Sequence, residues 1–202
     1  MMLLADYHPD LVPPIQDFVA CREDIIDAYE DYIVHVSPEQ MAISLETATY
    51  IYWLAVKTQP ATLADYGSGF TSYVLRAVDC GKVLSVDDQE SWLNWTFQFL
   101  ERWNVCYGDL LPFETARHET EPGSLDLIVY DFAAGEKREA FMGWALDRLA
   151  PGGLCVFDDA QHAEHQNKMR AACKDRKIEL FDLSEITKDR HGRFAALAVA
   201  PR

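Results

Sequence analysis

The stretch Leu63-Ala64-Asp65-Tyr66-Gly67-Ser68-Gly69-Phe70-Thr71 constrains this chain more than any other. A short apolar run closes on an aspartate, two glycines follow one residue apart, and a helix-like segment starts at once. Glycines let backbone come close to a ligand, and the free N–H groups of a helix N-terminus favour an anion. A tight strand–helix turn explains the same residues without any ligand. The rhythm then repeats. Apolar runs at 62–64, 82–86, 104–107, 125–130, 153–157, 177–183 and 194–200 read as strands, with helix-like segments at 71–78, 90–103, 138–149 and 163–173. Strands alternating with helix-length segments imply βαβ units and a parallel sheet covered on both faces. The last two runs have only a short connection between them, with Asp189-Arg190-His191-Gly192 as its turn. That is enough for a hairpin and too short for a crossover, so the final strand is expected to run antiparallel.

The first sixty residues are of another kind. Ile15, Phe18, Val19, Ile25, Ile26 and Tyr29 fall near helical spacing among acids. Ser37-Pro38-Glu39-Gln40 has the form of a capping box, with Ser44 as a second start, and the helix it opens should stop before Pro60. The expected architecture is α/β: a doubly wound, seven-stranded, mostly parallel sheet with an antiparallel last strand, preceded by a helical N-terminal extension.

Charge narrows the function. Lys+Arg is 18 and Asp+Glu is 33, a formal net charge of −15, which repels phosphate backbones and anionic membrane surfaces. Neither nucleic acid nor membrane is an expected partner. Residues 1–50 carry ten acids against Arg22, and residues 168–202 carry nine bases against five acids. Head and tail could complement each other across a homodimer, or simply be two solvated faces. Cys21, Cys80, Cys106, Cys155 and Cys173 are scattered and form no CxxC pair, which fits a reduced, cytoplasmic chain.

The candidate site residues lie where runs end. Val83-Leu84-Ser85-Val86 closes on Asp87-Asp88, about twenty residues after the first turn, where a carboxylate can accept from ribose hydroxyls. Asp88 also suits the N-cap of the helix that follows. Asp109, after Tyr107-Gly108, is placed to receive an adenine amino group or to serve as a turn residue. Trp92, near Asp87, is a candidate to face adenine. His162 and His165 share a helix face but have no third ligand for zinc; His162 is a candidate general base or a solvated surface residue.

From about Met41 to Ala200 the chain resembles the class I methyltransferases that use S-adenosylmethionine. Asp65 to Gly69 is similar to the family's first motif, Asp87 to the acid after the second strand, Asp131 to the fourth-strand motif, and Pro151-Gly152-Gly153 to the turn into the fifth strand. The resemblance implies a Rossmann-like domain over 61–202, with 1–60 as its helical extension or lid. It places Asp65, Gly67, Ser68, Gly69 and Thr71 on the methionine half of the cofactor. Asp87, with Asp88, goes to the ribose, Asp109 to the adenine, and Asp131 beside the transferred methyl. Ser72 stands where a dinucleotide fingerprint carries its third glycine, so an NAD-dependent oxidoreductase fits less well. That reading and a non-catalytic nucleotide-binding module are the alternatives.

Within the family the chain looks most like small-molecule O-methyltransferases. Met41-Ala42-Ile43-Ser44 is similar to the segment lying over the cofactor there, and the implied partner is a small-molecule acceptor. Asp131, Asp158 and Asp159 match the positions that hold Mg²⁺ in metal-dependent members, where a hard cation lowers the pKa of a bound hydroxyl. Asp159 stands where the catechol type carries Asn, and the nearest Lys after Asp131 is Lys137. Without metal, Asp158 and Asp159 would cap the next helix and Asp131, with His162, would be left as base.

Overall fold

In the computed structural model, which describes residues 2–106, 108–132 and 135–202, helices cover both faces of one sheet. In chain order the elements are β1 (Met2–Leu3), α1 (Leu4–Tyr7), a 3-10 turn at Pro9–Leu11, α2 (Ile15–His35), α3 (Leu45–Thr58), β2 (Thr62–Tyr66) and α4 (Phe70–Ala77). There follow β3 (Lys82–Asp87), α5 (Glu90–Arg102), β4 (Asp109–Pro112), α6 (Phe113–Glu119), β5 (Leu125–Tyr130) and α7 (Glu136–Leu146). The chain closes with β6 (Leu149–Phe157), α8 (Ala163–Asp175), β7 (Glu179–Asp182), α9 (Ser184–Thr187) and β8 (Ala196–Val199). The strand order is β1-β7-β8-β6-β5-β2-β3-β4. Among the described strands only β8 runs antiparallel to its neighbours, β6 and β7, as expected, although residues 183–195, with α9 among them, join it to β7 where the sequence suggested a four-residue turn. The sheet has eight strands where seven were expected. The extra one, β1 beside β7, has two residues and shows no period in the sequence.

Side chains leave the strands alternately, which divides the core into two layers. Leu63, Leu127, Val129 and Val156 point to a cluster shared with α2, α3 and α4. Ala64, Ile128, Tyr130, Cys155 and Phe157 point to a second cluster with α6, α7 and α8. The helices before Thr62 therefore share a core with the sheet. Helix α3 is buried on most sides, and its polar members are satisfied internally: Thr49 donates to the Leu45 carbonyl at 2.7 Å. Among the described residues no helix is long and apolar enough to cross a membrane.

Three boundaries differ from expectation. Ser37 caps no helix; residues 38–42 turn back on the Pro38 carbonyl, and Ser44 is the cap of α3, accepting from the Thr47 amide at 3.1 Å. Ser44 wins because Thr47 lies at N3, where its amide and hydroxyl both meet the Ser44 hydroxyl. The strand expected at 104–107 begins instead at Asp109; Tyr107 lies outside the described residues. Residues 104 and 105 are consumed in ending α5: Asn104 is left-handed (φ 52°) and the Val105 amide donates to the Leu100 carbonyl. Lys177 (φ 57°) and Ile178, whose amide donates to the Cys173 carbonyl, close α8 in the same way and delay β7.

Candidate functional site at the switch point of the sheet

Strand β2 lies between β3 and β5, so the connections leaving its two neighbours run in opposite directions and open a crevice at the carboxyl ends. Backbone hydrogen bonds lock the three loops there: Gly67 N–H to the Val86 carbonyl (2.9 Å), Asp131 N–H to Tyr66 (2.8 Å), Asp158 N–H to Tyr130 (3.2 Å). Above them lies a cavity of about 630 Å³. Its floor is Gly67-Ser68-Gly69 with Asp87, Trp92 flanks it, and Met41 to Ile43 form a wall. Asp131, Arg138 and Asp158 close the far end. A cleft of about 490 Å³ at the opposite ends of the strands, near Thr58 and Gly152, holds none of these residues.

Gly67 has φ +104°, and a Cβ there would sit 2.4 Å from the Asp131 carbonyl oxygen. Only glycine lets the β2–α4 loop pass the end of β5. Asp65 lies beneath that loop, fully buried, and accepts from the hydroxyls of Thr71 (2.7 Å) and Ser72 (2.5 Å). Burial pushes its carboxyl up to about 7, against the pull of those two donors. Asp65 was expected on the cofactor; it lines no part of the cavity and shapes the loop from below. The Ser72 hydroxyl also accepts from the Gly69 amide (3.3 Å), closing the loop in place of a third glycine.

Of the two aspartates at the end of β3, Asp87 is the one in the cavity floor, and it also accepts from backbone amides. One oxygen accepts from the Ser68 amide (3.0 Å) and hydroxyl (3.3 Å), and the other from the Gln89 amide (2.9 Å). Asp88 does not cap α5; it pairs with Lys137 at 2.5 Å on the cavity rim. Asp109 is displaced altogether. It opens β4 and pairs with Lys82, the first residue of β3, at 2.9 Å. That puts it at the amino ends of the strands, far from Asp87, whose neighbour in register is Pro112. An adenine contact from Asp109 is excluded by this placement.

Asp131, Asp158 and Asp159 do converge, with oxygens all within 4.8 Å of one another. A cation is already among them. The guanidinium of Arg138 donates to Asp131 at 2.7 Å and to Asp159 at 2.9 Å, and its side chain is only 12% exposed. Burial pushes Asp131 up to about 6 despite Arg138, and burial with two neighbouring carboxylates raises Asp158 well above the usual range. Burial acts on Asp159 too, but Arg138 and Gln161 together hold it low. A divalent ion bridging these carboxylates would sit against a guanidinium using the same oxygens, so the donor set as built does not fit Mg²⁺. Lys137, the nearest Lys after Asp131, faces Asp88; the next residue, Arg138, is the one that reaches Asp131 and Asp159.

His162 sits at the cavity rim as the residue preceding α8. His165 is buried inward, its Nε2 without a hydrogen-bond partner, and burial, then Arg138, push it down to about 4. The two do not act as a pair.

Two contributions were invisible in the sequence. Tyr32 of α2 packs edge-on against Phe99 and tilted on Phe70, and a Cβ at Gly69 would lie 2.9 Å from its hydroxyl. Arg193, oriented by Asp189 at 2.7 Å, donates to the Ala42 carbonyl at 2.7 Å and to Gln40 at 3.3 Å, tying down the wall.

No family model matches the chain, and no curated protein matches it. Solved structures do. An O-methyltransferase from Bacillus cereus in complex with SAH aligns over 98% of this chain and 95% of its own, with TM-score 0.61 and 14% identity. A SAH-bound methyltransferase from Podospora anserina aligns over 95% and 98%, with TM-score 0.65 and 12% identity. A precorrin-6y C5,15-methyltransferase from Geobacter metallireducens aligns over 81% and 92%, with TM-score 0.63 and 14% identity. The fold is therefore the Rossmann-like fold of these methyltransferases.

Proposed function

We propose that the chain is an S-adenosylmethionine-dependent methyltransferase that transfers the methyl group to a hydroxyl oxygen of a small molecule. The observation that carries this reading is the cavity at the switch point, floored by the Gly67–Gly69 loop and Asp87 and ending in Asp131 and buried Asp158. The residues present suit the cofactor. The α4 N-terminus lies at the cavity floor, where its dipole favours the cofactor's carboxylate, Asp87 has lone pairs for ribose hydroxyls, and Trp92 offers a ring face to adenine. When bound, S-adenosylmethionine supplies an electrophilic methyl on a sulfonium. The chain's own task is to align the acceptor oxygen and to take its proton.

Asp131 suits that second task. One of its oxygens is held by Arg138, and the carboxyl is pushed up to about 6, near working pH, where a general base is effective. Asp131 would take the hydroxyl proton as the acceptor oxygen accepts the methyl group that the cofactor would supply, the displaced electron pair staying with its sulfur. His162, on the rim, is the second candidate base. The acid-rich cavity also favours a sulfonium over a dinucleotide phosphate.

Calorimetric titration tests the reading: S-adenosylhomocysteine should bind with one site per chain and NAD should not. Release of S-adenosylhomocysteine from S-adenosylmethionine with a panel of hydroxylated small molecules then separates an enzyme from a binding module. Binding of NAD in preference to S-adenosylhomocysteine would overturn the assignment.

A further inference from the structure

We infer that Arg138 is the resident cation of the Asp131–Asp158–Asp159 group, filling the place of a divalent metal so that the site works without one. Three observations converge. The guanidinium bridges Asp131 and Asp159 at 2.7 and 2.9 Å, so it occupies the line between two of the three oxygens that would ligate an ion. The backbone that carries it is fixed as well: the Tyr130 hydroxyl donates to the Arg138 carbonyl at 2.5 Å, tying the start of α7 to the end of β5. Finally, Arg138 lies in the first turn of α7, where the helix dipole disfavours a positive charge. A cation held there against the dipole is held by the carboxylates.

The chemical consequence is a fixed charge in place of an exchangeable one. A guanidinium cannot be chelated away, stays protonated at any working pH, and presents its charge in one plane. Removing it should uncover what it fills: three converging carboxylates, two of them part-exposed, that suit a hard oxygen-seeking ion. The inference stands on the geometry of this group alone. It is read through cation binding, so it can fail while the methyltransferase reading survives, and the reverse.

Titration of the whole chain with MnCl₂ or MgCl₂, followed by calorimetry and by thermal melting, tests it. The wild type is expected to show no saturable binding below millimolar ion and no shift in Tm. Arg138→Gln should gain a saturable site, with at least a tenfold rise in affinity and an ion-dependent rise in Tm. Adding Asp158→Asn to that variant should remove the gain. Arg138→Lys keeps the charge, so it should fold and remain indifferent to the ions, which covers the case in which the Gln variant unfolds. Micromolar Mn²⁺ or Mg²⁺ binding by the wild type, lost in Asp158→Asn, would overturn the inference, because Arg138 would then yield its place to a metal. Ion binding by neither wild type nor a folded Arg138→Gln would also overturn it, since the group would not be a cation site at all.

Discussion

At Asp65 two effects compete at one carboxylate. Burial raises its pKa and two hydroxyl donors lower it, and burial wins, leaving it at about 7. Since the folded value lies above the unfolded 3.8, the group stabilises the fold fully below about pH 4, and that contribution is lost as pH rises through 7. Denaturant melts should therefore show the wild type losing about 2 kcal/mol more between pH 5 and pH 7 than Asp65→Asn. An equal loss in both would mean that the carboxylate is ionised in the folded chain. Asp87 is a different case, because in the proposed function it serves the ligand as well as the loop it holds. Asp87→Ala should weaken S-adenosylhomocysteine binding by about 1.5–3 kcal/mol, a 10- to 150-fold rise in Kd by calorimetry. It should also lower Tm, since the Ser68 and Gln89 amides lose their acceptor. Asp88→Ala, which breaks only a rim pair with Lys137, should do neither to a comparable degree.

Elements were legible where a local pattern decides them. The strand–Asp–Gly-x-Gly–helix unit stands as read, because Gly67 must adopt φ +104° against the Asp131 carbonyl and no other residue can. Gly67→Ala should accordingly cost more than about 2 kcal/mol in a denaturant melt. What the sequence hid are features fixed by distance. Left-handed closures at Asn104 and Lys177 look like strand starts until the helix they end is in view. Asp109 reads as a strand-end acid only if the strand precedes it; the α5 closure pushes the strand past it, and the side chain lands beside Lys82. Arg138 and Arg193 carry no motif, since one acts across seven residues and the other across 151. Arg193→Ala should free the 40–42 wall, seen as at least tenfold faster amide exchange over residues 39–43 with the sheet unchanged. Unchanged exchange there would show that packing, not the two carbonyl contacts, holds the wall.

Across the whole molecule the acidic head and basic tail meet within one chain. Arg190 of the β7–β8 connection pairs with Glu39, and Arg193 donates to the Gln40 and Ala42 carbonyls. The remaining excess of acid makes a field that draws any cation, but that field is screened beyond about 8 Å at physiological salt. The local carboxylates at the cavity end are not. This difference separates S-adenosylmethionine, which carries a sulfonium, from S-adenosylhomocysteine, which does not. A sulfonium near Asp131 favours the ionised carboxylate, so binding lowers a pKa that stands at about 6 and releases a proton. Affinity for the charged ligand should then rise, relative to the neutral one, as pH goes from 5 to 7.5, by about tenfold for each unit the pKa falls. Calorimetry in two buffers of different ionisation enthalpy, at about 0.5 M salt to silence the long-range field, reads both the ratio and the released proton. In Asp131→Asn the ratio should be flat with pH. A flat ratio in the wild type would place the sulfonium away from the carboxylate end, and Asp131 could not then be the group that takes the acceptor's proton.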